Sequence, residues 1–464
     1  MAALAGGILR QGDASRLVRG VGTDSRHLGT GELFLALRGD RFDGHDFLKV
    51  AELAGAAGAI VAAGTARPEF SPTFALIEVA DTLKGYQRLA REYRRRLPMR
   101  VVAITGSNGK TSTKDFTAAV LSTRYRVLKT EGNFNNHIGV PRMILRATAE
   151  EDVAVLEMGM NHPGEIRPLA QIAAPRVAII TNIGTAHIEY MGSREAIAQE
   201  KGTLAEEIPA DGWVILPAHD PFTKSITART SAEVLTVGID SGDLRATQVE
   251  QTAIGNRFTV VLGDQSAPAS INVIGHHMVA NALLAVGAGI ALGMDLAEAV
   301  HGLSAAQLTE GRVQPRTAGG LHFIDDSYNA NPDSMVVALA TLATSQVRGR
   351  RIAVLGRMGE LGVHAASGHR RVGEAAGEQR IDCVVAVGEE AAGIAEGAEE
   401  SGAKEVRRVR DVQEATDLLR QIASSDDLIL IKGSRSAGME RIIAAVAGGG
   451  GVLSPGAPLP LSHS

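Results

Sequence analysis

One stretch limits what this chain can fold into: Val101-Val-Ala-Ile-Thr-Gly-Ser-Asn-Gly-Lys-Thr-Ser-Thr-Lys114. Val101 to Ile104 is an apolar, largely β-branched run, the composition of a buried parallel strand. It leads through Gly106, Ser107, Asn108 and Gly109 into Lys110, Thr111 and Ser112, where an amphipathic pattern predicts a helix through about Thr123. A strand, a glycine turn and a helix in that order make a phosphate-binding loop. Glycines let backbone N–H groups converge on phosphate oxygens, and the helix N-terminus adds partial positive charge. Lys110 is placed to bridge outer phosphates and the Thr111 hydroxyl to bind Mg²⁺. The loop is a shortened variant, because Ile104 stands where the common motif has its first glycine. The plainer alternative is an ordinary glycine turn.

Bulk properties exclude several classes. A chain of 464 residues predicts two to four domains, with three the natural division. Net charge −5 and pI near 6.2 argue against nucleic-acid binding, and 3% aromatic residues leave little for base stacking. The single cysteine, Cys383, excludes an intramolecular disulfide and a cysteine-built zinc site. It sits in an apolar run and reads as a buried thiol. The N-terminus has no basic leader or long apolar run, and no stretch is long, apolar and uncharged enough to span a bilayer. The expectation is a cytoplasmic protein that works as a monomer.

The fold class expected is α/β in three domains: a central parallel-sheet P-loop ATPase domain, a small N-terminal α/β domain and a Rossmann-like C-terminal domain. Residues 1–82 form the first, with Gly31–Leu37 containing a strand. Within it, Thr23, Asp24, Ser25 and Arg26 make a polar turn whose guanidinium fork suits a carboxylate or phosphate, and Gly39–His45 is a further polar loop. Both also read as plain turns. Residues 83–315 open with a charged helix over Leu83–Leu97 ended by Pro98. Strands follow at Val101–Thr105, Tyr125–Lys129, Val153–Met158, Val177–Ile183 and Trp213–Pro217, then a helix over Arg194–Glu207. A β-alternating antiparallel patch spans Leu244–Ile274, and helices run to Gly293 and over Leu296–Gln307. Residues 316–450 alternate again, with strands at His322–Asp325, Arg351–Leu355, Cys383–Val387 and Asp427–Ile431. They lack G-x-G-x-x-G, so no dinucleotide site is indicated. Residues 451–464 are glycine- and proline-rich and expected to be disordered.

On parallel sheets, ligands bind beyond the carboxyl ends of the strands. Polar residues cluster there. Glu157-Met-Gly-Met-Asn161 follows one strand and Thr181-Asn-Ile-Gly-Thr-Ala-His187 another, with Gly132-Asn-Phe-Asn-Asn-His-Ile-Gly-Val-Pro141 between them and the loop. Glu157 and His187 are candidate Mg²⁺ ligands. Lys201 alone reads as a solvated-face lysine, since an ammonium is repelled by Mg²⁺. Only a carbamate at that nitrogen would be an oxygen ligand.

This ordered set resembles the Mur ligase family, ATP-dependent amide-bond-forming enzymes of bacterial cell-wall synthesis. Ile104–Thr111, Gly132–Pro141, Glu157–Gly159, Asn182–His187, Lys201, His277–Asn281 and Gly311-Arg312 fall where that family has motifs, in the same order. Asp325-Asp-Ser-Tyr-Asn-Ala-Asn-Pro-Asp-Ser-Met335 and Lys432-Gly-Ser-Arg435 are similar to the member that adds D-alanyl-D-alanine to UDP-N-acetylmuramoyl-tripeptide. The resemblance implies small-molecule substrates, an acyl-phosphate route and no nucleic acid or membrane. It implies catalytic roles for Lys110, His187 and Lys201, and ATP contacts from Gly106 to Ser112, Asn281, Arg312 and Asp326, with Asn329 and Asn331 near base and ribose. It implies one Mg²⁺ on Thr111 and Glu157 and a second on His187 and carbamylated Lys201. The UDP part would meet Thr23 to Arg26 and Asn136. Arg357 departs from the pattern, standing where the family usually has an aspartate. A sibling ligase, or a nucleotide-binding regulatory module without chemistry, are the alternatives. The module would be expected to lose Lys110, Glu157, His187 or Lys201, and all are present.

Overall fold

A computed structural model of the protein describes residues 1–39, 42–65, 69–252, 254–448 and 454–455. The chain packs as two compact units that do not follow chain order. One takes Met1–Ala103, Tyr125–Gly159 and Gly164–Arg176. The other takes Ile104–Arg124, Met160–Pro163 and the chain from Val177 onward.

In the first unit a five-stranded sheet runs Ile8–Gln11, Ala75–Val79, Gly58–Ala62, Leu33–Leu35, Val21–Gly22. Only the edge strand Ile8–Gln11 is antiparallel to its neighbour. Alternate side chains cover opposite faces. Leu33, Leu35, Ile60 and Ile77 pack with Tyr86 and Leu89. Phe34, Ala59, Val61 and Leu76 pack with Leu48 and Ala51. The helix Thr82–Arg94 starts where the Asp81 carboxylate accepts the Lys84 N–H. The same unit holds the parallel pair Val127–Lys129 and Val153–Glu157. Within the expected Gly39–His45 loop, Asp40 and Arg41 lie outside the described residues.

In the second unit, Val177–Ile180, Trp213–Pro217 and Glu233–Ile239 lie parallel. Leu244–Gln251 joins them in parallel register, and Asn256–Leu262 and Gln265–Ile271 extend the sheet antiparallel. The patch expected at Leu244–Ile274 is therefore antiparallel in its later pairs and parallel where it joins the sheet. The helices Lys110–Ser122 and His276–Ala291 pack closely through small residues: a Cβ on Gly289 would lie 3.0 Å from Val120 Cγ1. Among the described residues no helix is long and apolar enough to cross a membrane. The helix expected over Leu296–Gln307 stops at His301 and tightens into a 3₁₀ turn, Gly302–Ala305.

A second sheet of this unit runs Val406–Val409, Cys383–Val387, Arg351–Gly356, Leu428–Lys432, Leu321–Asp326, Gln314–Ala318. The first five are parallel. Gln314–Ala318 folds back as a hairpin through Gly319 and Gly320, both at positive φ (55° and 78°), as a tight two-residue turn needs. Ser454–Pro455, the described part of the tail, pairs with Arg316 and Thr317. The core joins Phe323, Ile352, Val354, Cys383, Ile429 and Ile431 to Leu419 and Ile442. Cys383 is fully buried, and burial pushes its thiol up to about 12. Phe323→Ala, by removing a fully buried ring, is expected to destabilise the protein by about 3–5 kcal/mol. Chemical denaturation with paired parent and variant curves measures this.

Candidate functional site

The phosphate loop is built by small residues and braced by the neighbouring strand end. Gly106 has φ 148°, and a Cβ there would sit 1.9 Å from Thr181 Oγ1. Gly109 has φ 79° and opens the helix Lys110–Ser122; its Cβ would meet Asn281 Oδ1 at 2.5 Å. Asn182 grips the loop through a reciprocal amide pair. The Asn108 N–H donates to Asn182 Oδ1 and Asn182 Nδ2 donates to Asn108 O, both at 3.0 Å. Ser107 N–H donates to Asn182 O (3.0 Å), and Ser107 Oγ accepts the Gly184 N–H (2.8 Å). Lys110 Nζ spans the loop, donating to Gly106 O at 2.7 Å. Thr111 and Ser112 are buried at the helix start.

Residues from the second sheet of this unit meet that loop. Asn331 Nδ2 donates to Asn108 Oδ1 (2.7 Å) while its Oδ1 caps the helix Pro332–Thr344 in a capping box with Ser334. Asp333 accepts from Thr185 N–H and Oγ1 at 2.7 and 2.8 Å. Arg312 Nη2 lies 3.3 Å from Thr111 Oγ1, its guanidinium 4.2 Å over the Tyr328 ring. Asp326 accepts from Val313 N–H and, at 2.5 Å, from buried Lys432, whose Nζ also donates to Asn329 O. So Asp326 and the Asn329 carbonyl are held by Lys432, and Asn331 serves the loop and its own helix.

His187 and Glu360 face each other, both in the left-handed region (φ 63° and 59°). His187 Nδ1 lies 2.7 Å from Glu360 Oε2. His187 and, more weakly, Lys110 hold the Glu360 carboxyl below its ordinary range. Lys201 is fully buried on the helix Arg194–Glu206, and its Nζ has no hydrogen-bond partner among the described residues. Burial, and then the Lys110 charge, pull its pKa well below that of a free lysine. Arg357, the inverted charge, is neutralised: it donates to Glu390 Oε2 (2.6 Å) and Ser436 Oγ (2.7 Å). His369 holds that loop by accepting the Met358 N–H at 2.9 Å.

In the first unit, Glu157 is buried and accepts from Asn135 Nδ2 at 2.9 Å. Asn136, which sequence reasoning singled out for the UDP part, accepts the Ile138 and Gly139 N–H groups through its Oδ1, just ahead of the helix Gly139–Arg146. Asn135, the neighbour that holds Glu157, was not singled out from the sequence. The signal was available, since Gly159 admits it: a Cβ there would lie 3.1 Å from its side-chain amide. Asp24 caps the turn Ser25–His27 and takes the Arg26 fork in two bonds of 2.9 and 2.8 Å, which holds its carboxyl well below the usual range. Thr23 and Ser25 flank this closed pair. Among the described residues no three His, Cys, Asp or Glu side chains converge on a metal position.

Three family models match the chain in order. They are the Mur ligase family catalytic domain over residues 17–94, the Mur ligase middle domain over 104–289, and the Mur ligase glutamate ligase domain over 311–435. This chain belongs to the Mur ligase family. It is 39% identical to the UDP-N-acetylmuramoyl-tripeptide–D-alanyl-D-alanine ligase of Bacillus subtilis, over 92% of this chain and 93% of that one. The Escherichia coli protein of the same name is 38% identical over the same shares. A crystal structure of MurF from Acinetobacter baumannii superposes with TM-score 0.84 at 36% identity, covering 92% and 93% of the two chains. A MurF ligase from Thermotoga maritima, solved in complex with ADP, gives 0.83 at 27% identity over 94% and 98%. The three-domain α/β architecture expected from sequence is the one these proteins share.

Gly106→Ala is expected to abolish measurable ADP binding in calorimetry while the melting temperature stays near that of the parent, because the clash lies in the loop. His277, half-buried near Lys432 and Asp326, is pushed down to about 4, chiefly by desolvation. The unfolded chain then binds one more proton than the folded one between about pH 4 and 6.5, so stability falls as pH drops through that window. His277→Asn is expected to flatten that limb of a stability–pH curve by up to about 1.4 kcal/mol per pH unit.

Proposed function

We infer that this protein is an ATP-dependent ligase that joins D-alanyl-D-alanine to UDP-N-acetylmuramoyl-tripeptide, giving the UDP-linked pentapeptide, ADP and phosphate. Beyond its kinship, one observation carries this reading. The Asp325–Met335 stretch, the part most like the dipeptide-adding member, lies against the phosphate loop through Asn331 and Asn108. A peptide carboxylate is a poor electrophile, because an amine would have to expel oxide. Transfer of the ATP γ-phosphoryl to that carboxylate gives an acyl phosphate and ADP. The dipeptide amine attacks the acyl carbon, and the tetrahedral intermediate expels phosphate and loses a proton.

The loop amides and Lys110 hold the phosphates and offset charge building on the transferring group. Arg312 and Asn281 stand beside Thr111 and Gly109 and orient the nucleotide. Asp326 and Asn329, tied to Lys432, shape the second wall of that site. The chain's residues suit Mg²⁺: in the second unit Thr111 would hold one ion and His187 with Lys201 another, and Glu157 of the first unit is a further oxygen donor. The partnerless, buried Lys201 amine is the feature that fits: its neutral form adds CO₂ to become a carbamate with oxygen donors. Bound Mg²⁺ would supply charge neutralisation at the phosphoryl group and the carboxylate. Thr23 to Arg26 with Asn136 take the UDP part of a substrate found in the cytoplasm.

The test is incubation with ATP, Mg²⁺, UDP-N-acetylmuramoyl-tripeptide and D-alanyl-D-alanine, with single omissions. Phosphate release that needs both substrates, with a product heavier by one dipeptide, is expected. Release with a different acceptor and none with the dipeptide would move the protein to a sibling activity. Lys110→Ala is expected to lower kcat at least ~10²-fold through lost charge stabilisation. Carbon-13 bicarbonate should yield a carbamate resonance that Lys201→Arg removes.

A further inference from the structure

The segment between the two sheets of the second unit carries Arg312 to the phosphate loop, and its backbone is held in an unusual way. Thr309 stands at its start. The Thr309 N–H and its hydroxyl both donate to Asp115 Oδ2, each at 2.8 Å. Asp115 lies on the helix Lys110–Ser122, four residues beyond Thr111, and is 2% exposed beside buried Lys114 (3.3 Å). Further along, the segment is fastened to the second sheet. Gly311 O accepts the Tyr328 N–H, Arg312 lies over the Tyr328 ring, and Val313 N–H donates to Asp326. Val313 has φ 52°, a conformation that β-branched residues rarely adopt and that persists only when surroundings impose it.

Arg312 itself is not locked by its own bonds. Its Nε is buried without a partner among the described residues, and its contact with Thr111 is long at 3.3 Å. A cavity of about 70 Å³, lined by Phe116, Val273, Leu308, Val313 and Pro315 among others, lies against the segment. The Asp115–Thr309 bonds fasten the segment to the helix Lys110–Ser122, the helix that carries Thr111.

We propose that Asp115 and Thr309 form a clasp that positions Arg312 over the nucleotide phosphates, so that both are positioning residues for the ligase reaction although neither touches ATP. The inference rests on the nucleotide-site reading given above. A hydrogen bond accepted by a carboxylate is charge-assisted and stronger than one between neutral groups. The strained Val313 turn then aims the guanidinium instead of relaxing.

The experiment measures ADP affinity by calorimetry and the KM for ATP. Thr309→Val keeps the side-chain shape and removes the hydroxyl donor; it is expected to weaken both about 5–10-fold, the net size of one hydrogen bond, since the Thr309 N–H still reaches Asp115. Thr309→Ser restores the donor and should restore affinity. In an Arg312→Ala background, Thr309→Val should change ADP affinity less than about 2-fold, because the clasp acts only through that guanidinium. Asp115→Ala should weaken ADP affinity at least as much as Thr309→Val; if it fails to fold, the Thr309 series still decides. Unchanged affinity in Thr309→Val, or an equal loss with and without Arg312, would overturn the clasp. A parent protein that binds no ADP would instead overturn the nucleotide-site reading itself.

Discussion

The amide pair between Asn108 and Asn182 is the contact on which the rest of the site depends. A phosphate loop must present backbone N–H groups outward, so it cannot satisfy itself as a helix or strand does. Two glycines at positive φ make the path accessible, and they also make the unfolded loop cheap to disorder. Asn182 offsets that by pairing with both polar groups of the Asn108 peptide. The same strand end continues into Gly184, Thr185 and His187. The outward-facing Asn108 side chain meets Asn331. One strand terminus thus braces the loop, delivers the histidine and receives the second sheet's capping helix.

Electrostatics divides the buried lysines into two kinds. Lys432 is buried, which pulls its pKa down, but it is answered by Asp326 and two carbonyls. Lys201 is equally buried and answered by no hydrogen bond, with Lys110 pressing on the same side of the balance. A protein keeps an uncompensated amine in its interior only at a cost, and that cost is what motivates the carbamate proposed for Lys201. The Arg312 Nε, buried and partnerless, belongs to the same category.

The fold's frame was legible because it rests on short-range signals. The phosphate loop, the parallel strands of the middle region and the four inner strands of the last region read directly from apolar runs punctuated by glycine. What escaped was chemistry that depends on neighbours. Gln314–Ala318 contains a proline and polar residues, a composition tolerated only because it pairs at the sheet's rim. Lys201 read as solvated because the Arg194–Glu206 helix is buried around much of its circumference, so its pattern shows no clear polar face. Asn135 and Asn136 are indistinguishable by type, and only the backbone turn decides which of them reaches Glu157. The bonds that tie Arg26 to Asp24 within the turn depend on backbone geometry that residue type does not reveal. Asp115 and Thr309 are far apart in sequence, and no local rule joins them.

Cys383, sealed in the second core with its thiol pushed up to about 12, has a practical consequence. A thiol that is neither exposed nor ionised near neutral pH reacts slowly with maleimides and spin-label reagents. The parent chain is thus already silent to thiol chemistry, with no background cysteine to remove. A single cysteine placed at Val363, which is 94% exposed beside the Glu360 loop, becomes the one addressable point on the molecule. The native protein is a ready host for a reporter that watches that loop while the enzyme turns over.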